Sequence, residues 1–286
     1  MKDFIFLMLA LCYLYSRTKL SFLVNLIHMT IRHSDITMIK FIQWLSMRPD
    51  IIDKNLYEVF STYKDRYPAH SFEYTKKKIE EVYNKNIYEI FDYFEQTPIA
   101  SASIAQVYKA KIIGKPDYVA VKVKHPHIDK NMQDYRGLIM AVINMIDRFF
   151  HIKINIDLDE FYKSIIAQTD LYIEGCNAEI FKQIYKNSNI VIPEVIDKHT
   201  DMLIYSFEKS VKFDDYCKTV PLKTQKEKAK EFIATVYAPI FLNNRFHADI
   251  HDANWGINSE GRIVIYDYGY IRDISSTLIL NVLKTV

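Results

Sequence analysis

Three oxygen-bearing side chains lie at a telling spacing near the C-terminal end of the sequence. Asp249 is followed five residues later by Asn254, and Asp267 comes thirteen residues after that, directly before Tyr268-Gly269. A carboxylate such as Asp249 can orient an attacking hydroxyl, while an amide oxygen and a second carboxylate are ligands that Mg²⁺ accepts. This set is typical of the acidic half of a phosphoryl-transfer site. We therefore predict that Asp249 is catalytic and that Asn254 and Asp267 hold the metal.

A lysine at the end of an apolar strand supplies the basic half of such a site. Residues 119–122 read Val-Ala-Val-Lys, an alternating strand pattern that ends in Lys122. A lysine in this position can bridge the α- and β-phosphates of a nucleotide when a glutamate from a helix holds it in place. The tetrapeptide alone is common in ordinary strands. Because the acidic set follows it in the expected order, the pattern predicts a nucleotide site.

The segment before this strand has small residues but no glycine. It runs from Pro98 to Ala110 and contains the run Ala100, Ser101, Ala102 and Ser103. Small side chains still allow a backbone to approach phosphate, but their Cβ atoms restrict positive φ. We expect a phosphate-binding loop that is stiffer than a glycine-rich loop and differs from it in shape.

Together these motifs make the sequence similar to the UbiB family of atypical kinase-like ATPases, which is linked to coenzyme Q and isoprenoid-lipid metabolism. That family carries PxAAASxxQVH, VAVKVQxP, HADPHPGN and DFG in this order, where the present sequence has PIASASIAQVY, VAVKVKHP, HADIHDAN and DYG. The resemblance extends from about Ile39 to Asp273. It implies an α+β, protein-kinase-like fold with two lobes, and ATP or ADP with Mg²⁺ as ligands.

The resemblance also assigns roles residue by residue. It makes Lys122 the nucleotide-binding lysine and Glu174 the helix glutamate that pairs with it. It assigns the catalytic aspartate to Asp249, and it places the Ala-rich loop at Ala100, Ser101, Ala102 and Ser103. Asn254 and Asp267 become the metal ligands.

Family motifs outside the phosphate site are present in altered form. Lys40 and Gln43 match the KxGQ signature of an N-terminal extension that, in the family, covers the site where a protein substrate would dock. Ile42 replaces the glycine of that signature. Gln168 and Asp170 match the family's ExD motif, with glutamine in place of glutamate. A contact between Lys40 and Gln168 would therefore be a hydrogen bond to a neutral acceptor and not an ion pair.

The hinge region also departs from the family pattern. Ser206 stands near the position where the family has glutamate, and Tyr205 beside it is a candidate gatekeeper. These departures affect elements peculiar to the family and leave the groups for phosphate and Mg²⁺ in place.

Composition agrees with an intracellular globular protein. The chain has 286 residues, of which 49% are hydrophobic, enough to bury a two-lobed core. A net charge of +2 is too small to indicate a nucleic-acid partner. The three cysteines, Cys12, Cys176 and Cys217, are far apart. This spacing argues against a disulfide framework or a structural zinc site.

The resemblance, together with the order of the predicted elements, implies three parts. Residues 1–95 form a helical extension with the KxxQ motif, 96–210 an N-lobe with the Ala-rich loop and inserted helices, and 211–286 a minimal C-lobe. The predicted helices are Met38–Leu45, Asn55–Tyr63, Phe72–Tyr83, Lys130–Phe150, Leu158–Tyr185, Gln225–Leu242 and Thr277–Leu283. The predicted strands are Gln106–Ile113, Tyr118–Lys124, Ile190–Ile192, Met202–Phe207 and Ile263–Tyr266. Since kinase-type C-lobes usually continue for several helices, the chain is either a minimal form or a truncated one.

The N-terminal apolar run raises the question of a membrane. Phe4–Tyr15 is about twelve residues long, whereas a helix needs about 20 to span a bilayer. The run favours a buried or peripheral amphipathic helix over a membrane anchor, and thus an intracellular, peripheral location.

A cluster of histidines and aspartates in the catalytic segment offers a metal alternative. His247 and His251 lie four residues apart, close to Asp249 and Asp252. In a catalytic loop, however, such histidines more often support the backbone or pack, so we do not predict zinc.

Three functions fit these patterns. The first is a UbiB-type ATPase or atypical kinase that acts near isoprenoid lipid at a membrane surface. The second is an ordinary protein or small-molecule kinase, and the third is a nucleotide-binding pseudokinase scaffold. The Ala-rich loop and KxxQ motif favour the first over the second, which needs an open substrate groove. The intact phosphate and metal residues disfavour the third, although Ile42 and Gln168 keep it open. The sequence predicts no oligomeric state.

Overall fold

The computed structural model describes residues 69–126, 157–251 and 253–277, together with positions 128, 137, 140, 144 and 148. The chain divides into two compact units. The first comprises Met1–Thr75, Pro98–Val107 and Lys124–Thr169, and the second Lys76–Thr97, Tyr108–Val123 and Asp170–Val286. The three-part division made from the sequence stays a prediction. The helices predicted before residue 69 lie outside the described residues, as do Lys40 and Gln43.

The secondary structure of the described residues is mixed. The helices are α1 (Phe72–Tyr83), α2 (Leu158–Gln168), α3 (Leu171–Ile184), α4 (Phe213–Cys217) and α5 (Leu222–Asn243), with a 3₁₀ turn at Ile87–Glu89. The strands are β1 (Phe91–Phe94), β2 (Ala100–Ser101), β3 (Ala105–Ile112), β4 (Tyr118–Lys124), β5 (Ile190–Val191), β6 (Val195–His199), β7 (Met202–Ser206), β8 (Arg245–His247), β9 (Trp255–Ile257), β10 (Ile263–Ile265) and β11 (Ile271–Asp273).

A six-stranded sheet places the lysine strand at its centre. Its order is β1-β3-β4-β7-β6, and β2 pairs with β3. β4 runs antiparallel to β7, with Lys122 opposite Leu203. From Val121 to Lys124 every residue of β4 is buried, so this end of the strand is covered on both faces. Lys122 therefore lies in the protein interior.

Two small sheets of the second unit contain the strands next to Asn254 and Asp267 in the sequence. β5, β10 and β9 form one sheet, and β11 pairs with β8. The run Ile263-Val264-Ile265 is wholly buried, as expected of a short strand covered on both faces. Phe232 of α5 packs against the same core and stacks on Trp255, with ring centroids 3.9 Å apart. This core fixes the strands on either side of Asn254 and Asp267.

The first unit has a smaller apolar core. Ile165 of α2 and Ile128 are buried together, and Ile104 packs against them. Ile104 lies directly after Ser103, so this contact anchors the end of the Ala-rich loop.

Several predicted elements are present with the expected bounds. α1 and β4 match the predictions at Phe72–Tyr83 and Tyr118–Lys124, and α5 begins three residues before the predicted Gln225. Positions 137, 140, 144 and 148 are helical, although most of the predicted helix Lys130–Phe150 lies outside the described residues. No helix in the described parts of the chain is long and apolar enough to cross a membrane.

The prediction of one helix over Leu158–Tyr185 is wrong. The chain leaves the helical conformation after Gln168, and Asp170 caps a new helix with extended backbone angles. The Asp170 carboxylate accepts hydrogen bonds from the backbone N–H groups of Tyr172 and Ile173, at 2.9 and 3.4 Å. Aspartate is among the best N-cap residues because it satisfies N–H groups that lack helical partners. Asp170 is thus the cap of α3 and does not lie on a helix face shared with Glu174.

Candidate functional site

Lys122 and Glu174 form a buried ion pair in the second unit. The Lys122 Nζ atom donates to both carboxylate oxygens of Glu174, each at 2.7 Å. Lys122 is 7% exposed and Glu174 is 1% exposed. The contact is well within the 4 Å limit of a salt bridge. The prediction that Glu174 is the partner of Lys122 is therefore confirmed.

Glu174 reaches the lysine because of its position at the start of α3. Asp170 fixes the first turn of that helix, and Glu174 lies in this turn. The next residue, Gly175, allows a close approach to the sheet: a Cβ atom there would lie 3.0 Å from side-chain atoms of both Leu203 and Lys198. A larger residue at 175 would push α3, and Glu174 with it, away from β7.

Asp267 joins this pair from the other side. Its Oδ2 lies 3.2 Å from Lys122 Nζ, and its Oδ1 accepts a hydrogen bond from the Gly269 backbone at 3.1 Å. Asp267 directly follows Tyr266 and has a left-handed backbone with φ of 55°. Non-glycine residues with positive φ are uncommon and occur often at functional sites. We refer to Lys122, Glu174 and Asp267 as the charged cluster.

The charged cluster carries an excess of negative charge. All three N–H bonds of the Lys122 ammonium group point at carboxylate oxygens. Burial by itself would lower the pKa of Lys122, but Asp267 and Glu174 outweigh burial and raise the pKa above its ordinary value. Burial also raises the pKa of Glu174, an effect that Lys122 opposes. One ammonium group thus faces two carboxylates, whose negative charge favours its protonated form.

The segment with the predicted catalytic aspartate, Asp249, lies between β8 and β9. His247 is buried and bonds through Nε2 to the backbone carbonyl of Asp267 at 2.5 Å, so Nε2 carries the hydrogen. Its Nδ1 accepts from the Asp249 backbone N–H at 3.3 Å. Burial lowers the pKa of His247, which agrees with this neutral form. His247 therefore supports the backbone, as expected.

Asn254 joins this segment to the residue that precedes Asp267. Its Nδ2 donates to the Asp249 carbonyl at 2.8 Å, and its backbone carbonyl accepts from the Tyr266 N–H at 2.8 Å. Because the amide nitrogen is held in this way, the amide oxygen is the atom that can bind a cation. The backbone bond places Asn254 next to the residue that precedes Asp267.

The donor chemistry of these residues fits Mg²⁺. Asn254 offers an amide oxygen, and Asp267 offers a carboxylate whose side chain is 36% exposed. Mg²⁺ prefers such oxygen ligands and is usually bound by one or two carboxylates together with substrate phosphates. Among the described residues, no group of three or more His, Cys, Asp and Glu side chains is placed to hold a metal. Asp252 lies outside those residues.

The Ala-rich loop belongs to the first unit. Ala100 and Ser101 form β2, which pairs with β3 at Ala100 and Val107. The Ala102 N–H donates to the Ala105 carbonyl at 3.0 Å, which closes a tight turn. The Ser101 hydroxyl is buried without a hydrogen-bond partner in the described parts of the chain. Gln168, also in this unit, is buried at the end of α2.

A pair of histidines holds the loop backbone, and sequence reasoning missed it. His125 Nε2 bonds to the Ala102 carbonyl at 2.9 Å, and His125 Nδ1 lies 2.7 Å from His70 Nδ1. His70 Nε2 bonds to the Thr75 hydroxyl at 2.8 Å. The Gln106 side chain bonds to both backbone groups of His70, at 3.0 and 3.1 Å. We refer to these five residues as the histidine cluster.

The partners fix the proton positions in the histidine cluster. A carbonyl only accepts, so His125 Nε2 carries a hydrogen and its Nδ1 accepts from His70. His70 Nε2 must then accept from Thr75. Protonation of His125 at Nδ1 would place its new N–H group against that of His70, and protonation of His70 at Nε2 would require the Thr75 hydroxyl to change from donor to acceptor. Burial lowers the pKa of both His70 and His125 to about 4, so both rings are neutral at pH 7.

Sequence reasoning also missed one contact to Glu174 and one to the residue that follows Asp267. The Tyr205 hydroxyl donates to Glu174 Oε1 at 3.0 Å, and Asn177 Nδ2 donates to the Tyr268 carbonyl at 3.0 Å. Asn177 lies three residues after Glu174 on α3, a spacing that places both on one helix face and could have indicated it. The Tyr205 contact depends on strand register and has no local sequence signal.

Comparison with known proteins gives a consistent picture. A family model described as an ABC1 atypical kinase-like domain matches residues 62–286. The chain is 32% identical over 235 residues to a probable serine/threonine-protein kinase, abkC, of Dictyostelium discoideum, covering 79% of this chain and 33% of that protein. It is 27% identical over 254 residues to a probable protein kinase UbiB of Xylella fastidiosa, covering 83% of this chain and 45% of that protein. The chain thus spans less than half the length of these relatives.

A solved structure supports the same architecture. The complex of Rv3197 with erythromycin from Mycobacterium tuberculosis is similar with a TM-score of 0.58 and 20% identity, covering 81% of this chain and 59% of that chain. The family match and this likeness confirm the predicted fold class, a kinase-like mixture of helix and sheet.

Proposed function

Because the chain belongs to the ABC1 atypical kinase-like family, we propose that it binds a Mg²⁺-nucleotide through Lys122, Asn254 and Asp267 and turns over ATP. The resemblance to UbiB proteins found in the sequence is confirmed by the same match and by relatives of that name. The observation that carries the proposal is the buried contact of Lys122 with both Glu174 and Asp267. Burying a charged group costs desolvation free energy, and buried charged clusters are often found at functional sites.

Nucleotide binding requires an exchange of partners at Lys122. All of its N–H bonds are directed at carboxylates, so a phosphate oxygen must replace one of them. Asp267 is the partner to be replaced, because its contact is longer and its side chain is partly exposed. Glu174 keeps the other two N–H bonds and so holds the ammonium group towards the phosphate. Asp267 Oδ2, once released, becomes a metal ligand.

Asn254 supplies the second oxygen for the metal, and Asp249 prepares the nucleophile. When bound, Mg²⁺ supplies positive charge that offsets the charge on the phosphate oxygens. Asp249 lies between His247, which bonds to its N–H, and Asn254, which bonds to its carbonyl. These bonds hold the backbone, so the Asp249 carboxylate can orient an attacking hydroxyl or water.

Ala100, Ser101, Ala102 and Ser103 are proposed as the phosphate loop, and Lys40, Gln43, Gln168 and Asp170 as family motifs with a regulatory role. These assignments rest on the sequence resemblance. For Asp170, the capping bonds to α3 suggest that its effect reaches the site through the position of Glu174.

We propose that ATP turnover supports isoprenoid-lipid metabolism of the ubiquinone type at a membrane surface. The support is the resemblance to UbiB proteins in the Ala-rich loop and the KxxQ motif. The second candidate is a protein kinase, which is favoured by the relatives described as probable protein kinases.

One set of assays distinguishes these functions. ATP hydrolysis with Mg²⁺ is measured alone, with phosphatidylcholine vesicles, and with vesicles that also contain a ubiquinone-type isoprenoid, beside phosphorylation of generic peptides. We expect lipid to stimulate hydrolysis several-fold and peptides to be poor substrates. The Asp249→Asn variant should lose hydrolysis but keep nucleotide binding, whereas Asp273→Asn, at an exposed ion pair, should lose neither.

Efficient peptide phosphorylation without a lipid effect would replace the lipid-linked function by the protein-kinase function. Nucleotide binding without any turnover would indicate a pseudokinase scaffold.

A further inference from the structure

Tyr205 contacts the charged cluster from the sheet. It lies on β7 opposite Ala120, two positions along the register from the pair formed by Lys122 and Leu203. Its hydroxyl donates to Glu174 Oε1 at 3.0 Å, and the same oxygen accepts from Lys122 Nζ at 2.7 Å. Glu174 is therefore held by two residues from neighbouring strands of one sheet.

The hydroxyl is a neutral hydrogen-bond donor to the buried Glu174 carboxylate. Burial, together with the Glu174 carboxylate, raises the pKa of Tyr205 well above its ordinary value, so the phenol keeps its proton. The Glu174 residue is only 1% exposed, so its carboxylate needs several hydrogen-bond donors from the protein in place of water. Tyr205 provides one without adding charge and without using an N–H bond of Lys122.

The need for this bond is greatest when the nucleotide binds. In the proposed exchange Lys122 gives up Asp267 and turns one N–H bond to phosphate, which pulls the ammonium group away from its present position. Glu174 must stay in place during this change, or the lysine loses the partner that directs it. Tyr205 bonds to Glu174 independently of Lys122 and Asp267, and so can hold it.

We propose that Tyr205 is a positioning residue that fixes Glu174, and through it Lys122, for contact with nucleotide phosphate. Since the phosphate ligand belongs to the proposed function, the role of Tyr205 rests on that function as well. The role is specific to phosphate and makes no difference to the binding of a nucleoside.

The chain offers a matched control for this proposal. Tyr185 is also buried, to 8% exposure, and its hydroxyl donates to the Thr235 carbonyl at 3.0 Å. Changing either tyrosine to phenylalanine removes one buried hydroxyl. Only Tyr205 bonds to the charged cluster, so the two variants separate an effect on the site from a general loss of stability.

The test compares Mg²⁺-ADP, Mg²⁺-ATP and adenosine binding in the unsubstituted chain, Tyr205→Phe and Tyr185→Phe by calorimetry or competition. A hydrogen bond to a charged group is worth roughly a factor of ten. We expect Tyr205→Phe to weaken both nucleotides about tenfold while adenosine affinity stays within twofold. Tyr185→Phe should leave all three affinities within twofold. Circular dichroism of each variant checks that it is folded.

A double variant tests whether Tyr205 acts on nucleotide binding through Glu174. In the Glu174→Gln background, Tyr205→Phe should change nucleotide affinity by less than about threefold, because the carboxylate that it holds is gone. Coupling of the two substitutions should also appear in denaturant unfolding of the nucleotide-free protein.

Three results would overturn the role of Tyr205. One is an unchanged nucleotide affinity in Tyr205→Phe. Another is a tenfold loss of adenosine affinity as well, which would indicate local misfolding. The third is a full effect of Tyr205→Phe in the Glu174→Gln background. If the unsubstituted chain binds no Mg²⁺-nucleotide, the proposed function fails together with this inference, whereas the first three results leave that function intact.

Discussion

The charged cluster and the histidine cluster are both buried, yet they satisfy their polar atoms in different ways. In the histidine cluster every ring nitrogen has one partner of the right kind, and the whole set is neutral. In the charged cluster one ammonium group serves two carboxylates, and one of these is partly exposed. The first arrangement pairs neutral groups, while the second pairs charged ones.

This difference indicates what each cluster is for. A complete neutral network rigidifies the chain around it, here by joining the backbone of Ala102 to that of His70. A buried charged set costs desolvation free energy and adds little stability, and such sets are frequent at functional sites. We expect the two clusters to respond differently to substitution, to acid and to metal.

The largest effect should follow removal of the lysine. Lys122→Met leaves Glu174 buried without its cation, and breaking a buried pair from one side costs about 3–5 kcal/mol. Denaturant unfolding measures this loss. The control is Lys198→Met, which breaks a pair with Glu179 whose side chains are 21% and 50% exposed and should cost less than about 1 kcal/mol. Equal losses in the two variants would mean that the charged cluster is not buried as described.

A smaller effect should follow removal of the central histidine. His125→Leu leaves the Ala102 carbonyl and the His70 Nδ1–H group without partners, and each unpaired buried group costs about 1–3 kcal/mol. His199→Leu is the control, since His199 and its partner Asp197 are both 38% exposed. The same unfolding assay applies. A loss for His125→Leu no greater than that for His199→Leu would contradict the network.

Acid should weaken the histidine cluster without any substitution. Both pKa values are about 4 in the folded protein and lie below the ordinary 6.5. Between these values the unfolded chain binds more protons than the folded one, so stability is full near pH 7 and falls as the pH drops from 6.5 to 4. Near pH 7 both states bind almost none of these protons, so the two histidines hardly change the free energy of unfolding with pH there.

Unfolding at several pH values, for the unsubstituted chain and His125→Leu, measures this effect. The variant should lose less stability between pH 6.5 and 4 than the unsubstituted chain. An identical decline in both proteins would show that the histidines do not titrate as described.

The sequence located the charged cluster because its residue types have a fixed order and spacing. Lys122 ends a strand with clear alternation, and Asp267 follows an apolar run, so local patterns place both residues. The family resemblance identified Glu174 as the partner of Lys122, and the two side chains form an ion pair. The catalytic and metal roles of Asp249, Asn254 and Asp267 stay predictions.

What the sequence did not indicate depends on contacts between distant residues or on very short elements. His70 and His125 are 55 positions apart, and neither belongs to a periodic pattern that pairs them. Strands β8, β9 and β11 have only three residues each, too few for alternation to appear. The break at Asp170 was missed because apolar periodicity continues across it, although an aspartate before a helical run is a cap signal.

We expect the charged cluster to bind Mg²⁺ together with a nucleotide, with Asp267 as a ligand of the metal. The measurement is the unfolding temperature of the 286-residue chain with ADP or ATP, with and without Mg²⁺, for the unsubstituted protein, Asp267→Asn and Asp273→Asn. Asparagine tolerates the left-handed backbone at 267, so the first variant should fold.

At a nucleotide concentration of about one hundred times Kd, binding adds about 2.7 kcal/mol, a rise of roughly 5 °C or more. We predict this rise, dependent on Mg²⁺, in the unsubstituted chain and in Asp273→Asn, and its loss in Asp267→Asn. The absence of any shift with either Mg²⁺-nucleotide in the unsubstituted chain, or an equal Mg²⁺-dependent shift in Asp267→Asn, would contradict the account.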